Sequence, residues 1–184
     1  ISHRDVGGLG LGLTEATQVI ERIARDCSST AMVLTMHYAG TTLIEKYGQR
    51  ALREAIAAGR HLTTLAWSEV GTRSHFWAPV GTARREGNAV VLDGRKSMVT
   101  SAGAADSYVW SSRPTQGDAA CSLWVVDSRL PGLSSPAPFD GLGLRANASA
   151  PVSAEGVRIG LDCLLGDDGQ GAEGKSAELD AERA

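Results

Sequence analysis

The residues of this chain that could do chemistry gather in two stretches, each joining hydroxyls and glycine at the end of a strand-like run. In the first, Asp93-Gly94 reads as a hairpin turn, because glycine accepts the positive φ that such turns need. A strand is then expected to run to Val99, and its exit carries Thr100 and Ser101 ahead of Ala102-Gly103. Small hydroxyl residues beside glycine at a strand end suit the close approach of a flat polar ring. The hydroxyls donate or accept at its edge, and nearby backbone N–H groups add fixed donors. In the second stretch, a strand ends near Glu69 and is followed by Ser68, Thr72 and Ser74 around Gly71, with Arg73 and His75 beyond. Such a loop suits a phosphate or a carbonyl edge, and Arg73 adds a fork of donors for an anion. Taken alone, each stretch also reads as an ordinary loop in which Ser and Thr make turns and Arg73 and His75 are solvated.

The rest of the chain must position these stretches, and its composition narrows what they can be for. With 184 residues it can bury one good core or two modest ones. A net charge of −3, with Lys and Arg scattered, argues against a nucleic-acid surface. No apolar run approaches the ~18–20 residues of a membrane span. Cys27, Cys121 and Cys163 are widely separated and lack metal-ligand spacing, so no metal site is expected. They read as reduced, buried thiols of a cytosolic protein, which gives a cytoplasmic location. The chain begins at Ile1 without Met or a signal-peptide pattern, which reads as an interior start.

Along the chain, Gly7–Gly12 has the wrong spacing for a dinucleotide fingerprint and no strand before it, so it reads as a lead-in to a helix. Thr14 is expected to cap that helix, with Ile20, Ile23, Ala24 and Cys27 as its buried stripe. A second helix is expected from Ser28 to Tyr47, stopped by a left-handed Gly48. Its apolar segment from Ala31 to Gly40 reads as enclosed by partners. His37, within that wall, reads as a core histidine with one hydrogen bond, a catalytic role being the alternative. A short third helix covers Gln49 to Ala58. From Leu62 the period changes to short strands: Leu62–Glu69, Val80–Arg85, Ala89–Leu92, Arg95–Val99, Ser107–Ser111, Cys121–Asp127, and runs near Pro151–Val157 and Leu161–Leu165, with Glu86-Gly87-Asn88 as a further hairpin connection. This predicts an α+β chain. Residues 1–60 form a helical segment, 61–166 an antiparallel β-barrel or sandwich, and 167–184 a linker or the start of something further.

In this order the motifs resemble those of the acyl-CoA dehydrogenase family of flavoproteins. The family's Thr-Glu-Pro-Gly-Ala-Gly-Ser-Asp stands here as Ser68-Glu69-Val70-Gly71-Thr72-Arg73-Ser74-His75. Its Gly-x-Lys-x-aromatic-Ile-Thr-Asn run is matched by Gly94-Arg95-Lys96-Ser97-Met98-Val99-Thr100-Ser101, followed by Ala105-Asp106. Leu142-Gly143-Leu144-Arg145 and Val157-Arg158-Ile159…Leu164-Leu165-Gly166 continue the series.

The resemblance implies the later part of an N-terminal helical domain and a middle β-domain, without the family's C-terminal four-helix bundle. It implies FAD as cofactor, with Leu65, Ala66, Trp67, Ser68, Ser74, Met98, Val99 and Thr100 in contact with its ring or phosphates. Ser74 and Arg73 would face an acyl-CoA substrate. The implied reaction is α,β-dehydrogenation of an acyl-CoA thioester in lipid metabolism, with hydride passing to flavin N5. Its base lies in the missing bundle, so no catalytic residue is expected in this stretch, and Glu69 is no replacement. An electron-transfer flavoprotein as acceptor and a homodimer or homotetramer are implied too. An oxygen-using monooxygenase or oxidase, with His37 in the pocket, and a non-catalytic family member are the alternatives. Departures fall at Val70, Arg73, His75, Met98, Asn147 and Ser149; Met98 puts a soft thioether where the family has a ring-flanking aromatic.

Overall fold

The computed structural model of the chain describes residues 1–72, 75 and 77–171. Helices α1 (Leu13–Ala24), α2 (Ser28–Tyr47) and α3 (Arg50–Ala57) precede the strands β1 (Thr63–Ala66), β2 (Thr82–Glu86), β3 (Ala89–Val99), β4 (Ser107–Ser112), β5 (Ser122–Asp127), β6 (Leu133–Ser134) and β7 (Ala150–Gly160). The strands form two sheets, β1-β4-β5 and β2-β3-β7-β6. The result is the expected α+β arrangement, as an open sandwich rather than a closed barrel. One pairing, β1 with β4, is parallel where an antiparallel sheet was expected.

Alternation along the strands builds two cores from one sheet. Tyr108, Trp110, Trp124 and Val126 point between the sheets and meet Val90, Leu92, Val99, Val152 and Val157. Their neighbours Val109 and Leu123 point the other way, to Leu43, Ile44, Ile56 and Leu165. With period two, both faces of β4 and β5 are covered, which makes three layers: helices, first sheet, second sheet. Close approach of the helical layer depends on Gly40 of α2, where a Cβ would lie 2.9 Å from Thr63 Cγ2 of β1.

Several local expectations are corrected. Asp93-Gly94 is not a turn; it lies inside β3. The hairpin before it is the expected one at Gly87-Asn88, with Gly87 at φ +64°. Opposite Asp93, the β7 strand carries one extra residue near Glu155-Gly156, and the Asp93 carboxylate accepts the Gly156 N–H at 2.7 Å. The run Leu161–Leu165 is not a strand; Leu161–Cys163 is a 3₁₀ turn. α1 begins two residues earlier than a Thr14 cap would place it, with Gly12 at the cap and its N–H bonded to the Glu15 carboxylate at 2.9 Å. Its stripe is only partly covered, since Ile20 and Ile23 are half-buried while Ala24 and Cys27 are exposed. Gly48 ends α2 in an extended conformation, φ −81°, not a left-handed one. Residues 32–39 of α2 are half-buried rather than enclosed. Of the free cysteines only Cys121 is buried.

Candidate functional site

β1 is shorter than its sequence suggests, and that shortness makes a cavity. After Ala66 the chain leaves the sheet through Trp67 and Ser68, then tightens into a turn in which the Thr72 N–H and Oγ1 both donate to the Glu69 carbonyl, at 3.3 and 3.1 Å. The end of β3 faces this exit. Lys96 pairs with Val152 and Val99 with Ala150, so β3 holds one extra residue at Ser97-Met98. Both Lys96 and Val99 thereby point inward, and Met98 is thrown out to 62% exposure. The Ser97 N–H donates to the Ser68 carbonyl at 2.7 Å, which ties the two segments together.

Between them lies a cavity of about 240 Å³, lined by Leu65, Trp67, Ser68, Thr72, Met98, Thr100 and, from α2, Met36. Beyond Thr100 the chain turns sharply at Ser101, φ +57°, a conformation L side chains rarely adopt. The turn is held because the Ser101 N–H donates to the Asn147 carbonyl at 2.9 Å and the Ser101 carbonyl accepts the Ala104 and Ala105 N–H groups.

Two charges sit beside the cavity and not in it. The Lys96 ammonium and the Glu69 carboxylate meet at 2.7 Å with side chains 0% and 1% exposed. Burial pulls the lysine down to about 8, against the opposing pull of Glu69. Glu69 also accepts the Val80 and Gly81 N–H groups, at 2.5 and 3.3 Å. So engaged, it is no free base.

Of the residues assigned to a cofactor from sequence, Leu65, Trp67, Ser68, Met98 and Thr100 line this one cavity. Ala66 and Val99 are completely buried in the core between the sheets and can offer only backbone. Ser74 and Arg73 lie outside the described residues. Sequence reasoning missed Met36; the signal was an apolar helix face adjoining an exposed polar loop. His37, its neighbour, turns to a different cavity, beside Ser2, Gly8 and Thr41. There its Nδ1 faces the Thr63 backbone, 3.2 Å from the N–H and 3.4 Å from the carbonyl, as a packing histidine does, and burial lowers its pKa. A larger space of about 410 Å³ beside α3 and β5 is lined by none of the residues assigned to cofactor or substrate. Among the described residues, no His, Cys, Asp and Glu group is arranged to hold a metal ion, and no helix is long and apolar enough to cross a membrane.

Comparison with known proteins places these motifs in context. Residues 64–157 match the model of the acyl-CoA dehydrogenase middle domain, and residues 2–59 that of the acyl-CoA dehydrogenase N-terminal domain. The mitochondrial short-chain specific acyl-CoA dehydrogenase of Homo sapiens is 31% identical over 97% of this chain and 45% of its own length. Thus the chain spans less than half of that curated relative. Among solved structures, an FAD-dependent dehydrogenase is 30% identical with a TM-score of 0.81, over 95% of this chain and 49% of its own. A probable acyl-CoA dehydrogenase from Mycobacterium abscessus is 28% identical with a TM-score of 0.86, over 98% and 50%.

Proposed function

The chain belongs to the acyl-CoA dehydrogenase family, and from that premise we propose that it is the cofactor-holding part of an FAD-dependent enzyme that oxidises an acyl-CoA thioester to its α,β-unsaturated form. The observation that supports this is the meeting of Leu65, Trp67, Ser68, Met98 and Thr100 around one cavity at the end of β3. At about 240 Å³ the cavity is below the roughly 300–1,000 Å³ of a whole small-ligand site, so it suits the ring end of a dinucleotide rather than all of it.

The donor set fits a tricyclic ring. The hydroxyls of Ser68 and Thr100 can donate to its polar edge, while Met36, Leu65 and Met98 give soft apolar contact to its faces. Thr72 has already committed its proton to the Glu69 carbonyl and can only accept. When bound, FAD supplies the two-electron acceptor. What this chain contributes is orientation, exclusion of water by the methionines, and hydrogen-bond donors held ready at a fixed edge. Ser74 and Arg73 are proposed for the substrate side, with the base outside this chain. An electron-transfer flavoprotein as acceptor, a homodimeric or homotetrameric assembly and a cytoplasmic location belong to the same proposal. His37 turns away from this cavity, so the geometry gives no support to an oxygen-using variant built on it.

The test is the visible spectrum of the full-length protein. It should show bound flavin, bleached anaerobically by an acyl-CoA, and Thr100→Val should weaken flavin retention at least severalfold or shift its potential. A full-length protein that stays colourless with added FAD would refute the proposal.

A further inference from the structure

We propose that the buried Lys96–Glu69 pair is the positioning device that sets the spacing of the two walls of the flavin cavity; this rests on the FAD reading above. Glu69 directly follows Ser68 on one wall, and Lys96 stands two residues before Met98 on the other. The pair therefore bolts the exit of β1 to the bulged end of β3, next to the main-chain bond between Ser97 and Ser68.

Its construction fits that role. An ammonium has three protons, and all have acceptors: Glu69 Oε1 at 2.7 Å, the Ser111 carbonyl at 2.7 Å and Ser111 Oγ at 2.9 Å. The Trp110 ring lies under it, 4.8 Å to the centroid. Room for the carboxylate is kept by glycine: a Cβ on Gly81 would sit 2.9 Å from Glu69 Oε1, and one on Gly94 would sit 3.1 Å from Gly81 Cα. Stability alone does not account for such a pair, because apolar residues of similar volume are commonly as stable or more so. Directional bonds, unlike apolar contacts, fix distance and register, and here the register is that of the bulge that throws Met98 onto the cavity rim. The titratable groups that face Lys96 are Glu69 after β1 and Cys121 before β5, and burial is the largest influence on its charge.

The test uses full-length protein with FAD, reading flavin affinity by fluorescence and folding by thermal melting. Lys96→Met and Glu69→Gln should each weaken FAD binding at least tenfold. The double variant K96M/E69Q, which leaves no lone buried charge, should regain melting temperature without regaining affinity. In the wild type, affinity should fall as pH rises through about 8 while the melting temperature does not fall with it; this arm needs no variant to fold. A double variant with wild-type affinity, or a wild-type affinity flat from pH 7 to pH 9.5, overturns the inference while leaving the FAD reading intact. A wild type that binds no flavin overturns both.

Discussion

Replacing Lys96 by Met should be among the most damaging single changes in the chain. Both side chains of the Lys96–Glu69 pair are shut away from water, so the substitution strands a carboxylate whose remaining partners are the Val80 and Gly81 N–H groups. Breaking a buried pair from one side costs about 3–5 kcal/mol. Against a typical domain stability of roughly 5–15 kcal/mol, that is about a fifth of the total or more. Glu69→Gln in the same background removes the stranded charge and should recover most of the loss. The pair also makes a signed prediction in pH. The lysine is lowered from 10.5 to about 8, first by burial. A group lowered on folding adds stability that is complete above its unfolded value and gone below its folded one. Wild-type stability should therefore gain from this group as pH rises from about 8 to 10.5, by at most about 3 kcal/mol at 1.36 kcal/mol per unit. Urea unfolding across that window, on wild type and K96M/E69Q, isolates the contribution as the difference between the two curves. If K96M loses less than about 1 kcal/mol at pH 7, or the two curves run parallel between pH 8 and 10.5, the pair is not buried as described.

Two further outcomes test the frame around the cavity. Gly40→Ala should destabilise the chain by about 1–2 kcal/mol in urea melts although alanine is the better helix former by about 1 kcal/mol, because its Cβ would press Thr63 Cγ2 at 2.9 Å. A neutral or stabilising result would mean that α2 can move off β1. His37 and His61 are both lowered from 6.5, chiefly by burial, so each adds stability that is present above 6.5 and lost as pH falls through its folded value. The melting temperature should drop on acidification below 6.5, and less so in His37→Gln, whose side chain does not gain a proton.

What could be seen in the sequence was what short range decides. α2 follows from an unbroken helical run between Cys27 and Gly48, and the Gly87-Asn88 turn from two short β-rich runs with glycine between them. The Thr100 and Ser68 stretches stood out because hydroxyls and glycine cluster there. Asp93-Gly94 misled because a residue pair that favours turns is also what a strand needs where a neighbouring backbone comes close; Gly94 has Gly81 against it, a contact that sequence spacing does not encode. The half-buried middle of α2 was misread for a related reason. Apolar composition says what a face prefers to meet, and not whether a sheet or a cavity meets it; Met36 meets the cavity.

Lys96 is the sharpest case, and it shows how the site depends on the fold. Period two along β3 puts Val90, Leu92 and Lys96 on one side, a side that between two sheets should be apolar. A lysine there is tolerated because the β1 exit brings Glu69 to meet it, and because the first sheet supplies Ser111 and the Trp110 ring. Having spent its inward position on the lysine, β3 needs an extra residue to bring Val99 back into the core, and that residue displaces Met98 outward to the cavity. Buried charge, bulge and cavity wall are thus consecutive consequences of one strand. Deleting Ser97, which would cancel the bulge, should leave Lys96 and Val99 facing inward with the ion pair intact, but remove the Ser97 N–H bond to the Ser68 carbonyl and draw Met98 back into the regular pleat, so that the cavity loses its wall. A folded deletion variant that still binds FAD like the wild type would show that the wall is built some other way.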